Sequence, residues 1–207
     1  NIKIKKIFPT LKLKNNFIVN GIKPLKYAQN KDITFFESIN YLSDLKKTNA
    51  ELCITTEKLK KYLPSKIKCI VVKNVLYELA KVTKLIYPFS DVDYPDLSLN
   101  KPSKKRYGSV KFGNNVLIGK SVKIGKNSFV GANTIIESNV IIGKNCVIGS
   151  GTIIKNSVIG DEVVIQDNCN IGQKGFGFIP KNNLNIKFPH IGRVIILDRV
   201  EIACSCT

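Results

Sequence analysis

The chain has 207 residues, of which 43% are apolar and 23% charged, a net charge of +18 and a single histidine. That length holds one ordinary domain or two small ones, and the composition excludes a disordered chain. No stretch nears the ~18 consecutive apolar residues of a membrane helix, and one histidine excludes a multi-histidine metal site within one copy.

The charge is uneven. Residues 1–106 carry 22 Lys+Arg and 9 Asp+Glu, net +13; residues 107–207 carry 11 and 6, net +5. A surface for phosphate, nucleic acid or an acidic protein would show such a charge. However, lysine supplies 30 of the 33 cations, and Lys, Asn and Ile together make up 80 residues, as A/T-rich coding produces. Arginine, the residue suited to bidentate base and phosphate contacts, occurs three times. No nucleic-acid partner is therefore expected. The opening NIKIKKIFPTLKLKNNFIV has no small-residue cleavage site and no clean apolar core, so it does not read as a secretion signal. The six cysteines form no CxxC pair, only a CxC at Cys204 and Cys206. Free thiols are expected rather than disulfides or zinc ligands.

In chain order, ELCITT (51–56) and KCIVV (68–72) read as short strands. Residues 74–87 place Val75, Leu79, Val82 and Leu85/Ile86 at helical spacing, with Asn74 as N-cap and Pro88 as the stop. Residues 88–107 hold three prolines and end in a basic run, as a linker does. Thirteen of the 14 glycines lie at or after Gly108. There Ile118, Ile124, Val130, Ile136, Ile142, Ile148 and Ile154 recur every six residues, and five of the seven precede a glycine. Two residues before each stands a small or β-branched side chain. After a five-residue step to Ile159 the period resumes at Ile165 and Ile171. A period of six fits neither helix nor strand alone. It fits a β-solenoid with one hexad per side of a triangular coil, the apolar residue inward and the glycine supplying the corner conformation. The repeat breaks at 173–190, which is expected to project as a loop, and resumes at IGRVII. The chain stops at Thr207 in mid-pattern without a capping element, so it is expected to be a fragment.

The hexads interrupted by GFGF (175–178) and followed by KFPHIGRVII (187–196) and DRVEI (198–202) resemble the UDP-3-O-acylglucosamine N-acyltransferases of lipid A synthesis. ITFFESINY (33–41) and KNVLYELAKVTKLIYP (73–88) are similar to segments of that family's N-terminal domain. The resemblance implies an α+β N-terminal domain followed by a left-handed parallel β-helix of hexapeptide repeats. The expected divisions are a uridine-nucleotide-binding domain at 1–100, a linker at 101–108 and an incomplete β-helix at 109–207 with its loop at 173–190. It also implies transfer of a 3-hydroxyacyl group from acyl carrier protein to the 2-amine of UDP-3-O-acylglucosamine, by a cytoplasmic homotrimer without a cofactor or metal.

The family's general base is a histidine in a segment well after DRVEI, beyond Thr207. No catalytic residue is therefore assigned in this chain, which is expected to be inactive in acyl transfer. The resemblance places uracil between Phe35 and Tyr41, with Ser38 where the family has Asn; core packing of Phe35 and Phe36 is the alternative. Gly175 and Gly177 would allow close backbone approach or positive φ. Phe176 and Phe178 would cover an acyl chain or a neighbouring subunit, or seal the interruption. Lys174 stands where relatives carry Asp. His190 is read either as a substrate contact or as a loop residue with a structural hydrogen bond. Two other readings remain open: another hexapeptide acyl- or acetyltransferase acting on a nucleotide amino sugar, and a trimeric scaffold without chemistry.

Overall fold

The computed structural model describes residues 2–10, 16–181 and 184–207. Residues 182 and 183 of the expected loop lie outside them. The chain forms two compact units, Asn1–Val92 with Phe176–His190, and Asp93–Gly175 with Ile191–Thr207.

The first unit runs α1 (Ile4–Ile7), β1 (Gly21–Ile22), β2 (Asp32–Phe36), α2 (Leu42–Lys47), β3 (Leu52–Thr55), α3 (Glu57–Lys60), β4 (Lys68–Val71) and α4 (Val75–Ile86). The four strands pair in parallel in sequence order. Strand side chains alternate between faces, and both faces are covered, so β2 and β3 are buried almost throughout. Ile33, Leu52 and Ile54 pack with Val75, Leu79 and Val82 of α4. On the opposite face Phe36 and Cys53 pack with Leu25, Leu45 and Ile67. Burial and the facing Cys69 push the Cys53 thiol up to about 12, which leaves it protonated and unreactive. Helix α4 starts where its spacing predicts, with Asn74 Oδ1 accepting from the Tyr77 N–H at 2.9 Å. Leu85 departs from the expected stripe and is exposed; Ile86 takes the partly buried place.

The second unit begins with eleven short strands. They are β5 (Lys111–Phe112), β6 (Leu117–Ile118), β7 (Lys123–Ile124), β8 (Phe129–Val130), β9 (Ile135–Ile136), β10 (Ile141–Ile142), β11 (Val147–Ile148), β12 (Ile153–Ile154), β13 (Ser157–Ile159), β14 (Val164–Ile165) and β15 (Asn170–Ile171). A hairpin then intervenes, β16 (Phe178–Lys181) with β17 (Leu184–Lys187), and belongs to the first unit. The second unit resumes with β18 (Val194–Ile196) and β19 (Glu201–Ile202). Every third strand stacks, giving three parallel sheets, the faces of a left-handed parallel β-helix. The register steps by one coil, as in Leu117↔Ile135 and Val147↔Phe129. The five-residue step is absorbed in β13, where Ile142 still faces Ile159.

Both inward positions of each hexad are filled, the apolar series as the repeat predicts. Ile136, Ile148, Ile154 and Ile165 are at most 1% exposed, and Val122, Val140, Cys146 and Cys169 are fully buried. The inward hydroxyls are satisfied: Ser128, Thr134 and Thr152 donate to the carbonyls of Gly143, Gly149 and Gln166. At the start of the column, Tyr107 packs edge to face on Phe112 at 5.9 Å and its hydroxyl donates to Val122 O.

Among the hexad glycines Gly172, after Ile171, has the expected left-handed backbone, and the others serve another purpose. The corner residues with left-handed backbone are mostly asparagines, Asn115, Asn127, Asn133, Asn139, Asn145, Asn156 and Asn168 among them, three residues before the inward apolar position. Asparagine tolerates that conformation better than most residues. Those other glycines instead lie against the backbone of the next coil. A Cβ on Gly131 would stand 2.5 Å from Ser150 N and 2.8 Å from Gly149 C.

Residues 93–100 are tied to the β-helix through Asp96. Its carboxylate accepts from the backbone N–H and hydroxyl of both Ser98 and Ser138 at 2.6–2.8 Å. Partial burial pushes this carboxyl up, but those hydrogen bonds outweigh it and hold it at about 2, below its ordinary 3.8. Nearby, Lys155 bridges Glu137 at 3.0 Å and Asp93 at 3.3 Å.

Two outcomes test this packing. Gly131→Ala should destabilise the second unit by about 1–3 kcal/mol, whereas Gly177→Ala, with nothing within 4 Å of its Cβ position, should leave the melting temperature unchanged. A carboxyl held below its unfolded pKa stabilises the fold above that value and loses the contribution as the pH falls through its folded one. Asp96→Asn should therefore lower the melting temperature near neutral pH, and its deficit against the parent should shrink as the pH falls from 3.8 towards about 2.

Candidate functional site

Strand β2 sends alternate side chains to opposite faces, and this separates its two phenylalanines. Phe36 is fully buried in the core. Phe35 is half-buried and lines a cavity of about 230 Å³ with Pro24, Leu25, Glu37, Tyr41 and Asp44. The core-packing alternative describes Phe36 fully and Phe35 in part, since Phe35 packs against the core of Ile33, Leu52 and Ile54 and also shares the cavity with Tyr41. Tyr41 is 51% exposed. It sits at the end of a 3-10 turn, Ile39–Tyr41, whose N-cap is Ser38. Ser38 Oγ accepts from the Asn40 backbone N–H at 3.3 Å. Drug-sized ligands occupy cavities of roughly 300–1,000 Å³, so this one is sized for a single ring with its substituents outside. The two acids on its rim suit hydroxyl or N–H donors. Glu37 and Asp44 escape a reading of the sequence, since isolated carboxylates between aromatics carry no motif.

The remaining expected site residues lie outside the residues lining that cavity, Phe176, Gly177, Phe178 and His190 in the same unit and Gly175 at the end of a stretch of the second. Phe176 is 90% exposed and stacks edge to face on Phe178 at 5.0 Å. Gly175 is exposed. Gly177 lies outside the left-handed region, which corrects the positive-φ alternative, and the space within 4 Å of its Cβ position is open. The His190 backbone N–H donates to Ser90 O at 2.9 Å, and its ring sits 6.4 Å from that of Phe188. Its Nε2 is buried without a partner.

The second unit has its own cavity of about 530 Å³, lined by Lys123, Ser138, Asn139, Asn156 and Arg193 among others. Arg193 belongs to the PHIGRV segment, where sequence reasoning singled out only the histidine. Among the described residues no group of three His, Cys, Asp or Glu side chains is placed to hold a metal, and no helix is long and apolar enough to cross a membrane.

Residues 16–85, which include the Phe35–Tyr41 cavity, match the family described as UDP-3-O-(3-hydroxymyristoyl) glucosamine N-acyltransferase. Residues 121–156 match the bacterial transferase hexapeptide family of six repeats. The chain belongs to the UDP-3-O-acylglucosamine N-acyltransferase family. It is 37% identical over 198 residues to the UDP-3-O-acylglucosamine N-acyltransferase of Rhodopseudomonas palustris strain HaA2, covering 92% of this chain and 55% of that protein. It is 42% identical over 191 residues to the UDP-3-O-acylglucosamine N-acyltransferase 2 of Legionella pneumophila strain Philadelphia 1, covering 91% of this chain and 56% of that one. The chain spans about half the length of the curated relatives it matches. Family membership joins the two units: the first carries the family's own segment and the second the repeat it shares with other transferases.

Proposed function

We propose that this chain is the substrate-recognising part of an N-acyltransferase that moves a 3-hydroxyacyl group from acyl carrier protein to the 2-amine of UDP-3-O-acylglucosamine in lipid A biosynthesis. The observation that carries this reading is the cavity that brings Phe35 and Tyr41 together inside the family-matched segment. Two aromatic rings about one small cavity suit a pyrimidine, because stacking uses the flat face of the base. Glu37 and Asp44 at the rim would accept hydrogen bonds from ribose hydroxyls or the uracil N–H. Ser38 replaces the longer amide of relatives, so it caps its turn without reaching for the base.

In this reading Gly175 to Phe178 and His190 serve substrate or acyl-chain contact. The exposed ring of Phe176 is available for an apolar partner. No residue of the chain is assigned as the catalytic base. A homotrimer is supported by half-exposed apolar side chains on the outer faces of the β-helix, Phe129 beside Val147 and Ile141 beside Val158. The six free cysteines fit a reducing, cytoplasmic location, where an acyl carrier protein donor is also found.

Titration calorimetry with UDP tests the nucleotide assignment. Phe35→Ala and Tyr41→Ala should each weaken binding at least about fivefold, the lower end of base–aromatic stacking energies. Ser38→Asn, which preserves the cap, should strengthen it. Unchanged affinity in both alanine variants would return Phe35 and Tyr41 to packing roles.

A further inference from the structure

The basic run that closes the linker has no part in the nucleotide reading. In the second unit its Arg106, with Lys101 before it, lines a cavity of about 390 Å³. Lys101, Ser103, Arg106 and Tyr107 line one wall, and Ile118 and Lys120 of the first coil line the other. Lys101, Arg106 and Lys120, all exposed, are thus among the residues around one concave space whose lining is mostly carbon, and none of the lining residues is acidic. None of the three cations has an ion-pair partner among the described residues. The acid nearest in sequence, Asp96, stays ionised with both carboxylate oxygens held by Ser98 and Ser138, and it lies against Gly119 of the lining. Three cations against one carboxylate still leave a net positive potential that favours an incoming anion.

The walls are held in place before any ligand arrives. Asn100 and Ile118 exchange backbone hydrogen bonds at 3.0 and 2.8 Å. The Lys120 N–H donates to Ser98 Oγ at 2.8 Å. Arg106 Nη2 and the Tyr107 hydroxyl both donate to Val122 O, at 2.7 and 2.9 Å. This anchors one end of the guanidinium, and its remaining N–H groups stay available. A guanidinium fork flanked by two ammonium groups matches a phosphate dianion better than a single carboxylate. Tyr107 and Ile118, both nearly buried, supply a carbon floor. A concavity of this volume admits a small molecule.

We propose that this cavity is a binding site for a small phosphate monoester with a compact apolar body. It is separate from the nucleotide cavity and does not depend on the acyltransferase reading.

Titration calorimetry of the 207-residue chain at about 0.15 M salt, with phenyl phosphate as the probe, tests the site. Saturable binding at one equivalent per chain is expected. Lys101→Gln with Lys120→Gln, two side chains that make no hydrogen bond within the fold, should weaken it about tenfold or more, with an unchanged melting temperature. Arg106→Gln should weaken it too, and Phe35→Ala should leave it unaltered. Equal affinity in the double lysine variant overturns the proposal. So does absence of saturable binding, or binding to phosphatidylglycerol vesicles without binding to phenyl phosphate, which would make the run a membrane contact.

Discussion

The distance between successive coils governs the second unit. Stacked strands lie about 4.8 Å apart, and the corner after each inward residue is so close to the next coil that a Cβ on Gly113, Gly119, Gly125, Gly131, Gly143, Gly149 or Gly160 would meet its backbone within 3 Å. Other features follow from that closeness. Acceptor side chains reach across the gap: Asp161 takes the Lys144 N–H, Asp167 that of Ser150 and Asp198 that of Asp161. Three corners lacking glycine, at Glu137, Lys155 and Gln166, carry side chains that bond between coils, whereas Leu197 and Ala203 are apolar. Glu137 pairs with Lys155, and Gln166 bonds both Glu201 and the Cys204 N–H. A corner without glycine is thus tolerated where a long polar side chain turns outward and finds a partner.

This constraint also fixes where binding chemistry can sit. The interior is filled with isoleucine, valine and small residues in both inward positions of each hexad, so it has no room for a ligand. Two cavities flank places where the repeat is disturbed. One lies where residues 98–107 lead into the first coil, and another where the chain re-enters at Ile191–Arg193. The first unit follows a different logic. Its parallel sheet is covered on both faces, and its cavity forms where Phe35 in β2 and the turn ending in Tyr41 leave a gap beside Leu25.

How much of this was legible in the sequence depended on whether the signal was periodic. The hexads named the inward apolar series from Ile118 to Ile171, because a one-residue error would have put isoleucines on the outside, and left the second inward position, such as Val122 and Cys146, unassigned. The same pattern assigned all its glycines but Gly172 the wrong task, since period alone cannot separate a corner that needs positive φ from one that lacks room for a Cβ. The asparagine series at Asn115, Asn127, Asn133, Asn139 and Asn145 carried that information and went unread in an asparagine-rich chain. The helix at 75–86 was found with its cap, but the α4 stripe ends at Val82 and Ile86 and leaves Leu85 outside. Phe35 and Tyr41 were identified through resemblance. Glu37, Asp44 and Arg193 were not, because a cavity wall brings together residues that no local spacing links.

The account turns on the first unit recognising a uridine nucleotide with two aromatic rings. A crystal structure of the chain with UDP-N-acetylglucosamine tests this most directly. The account predicts the pyrimidine between the rings of Phe35 and Tyr41, with its sugar and phosphates outside the cavity. A nucleotide bound elsewhere, with Phe35 and Tyr41 untouched, would contradict it.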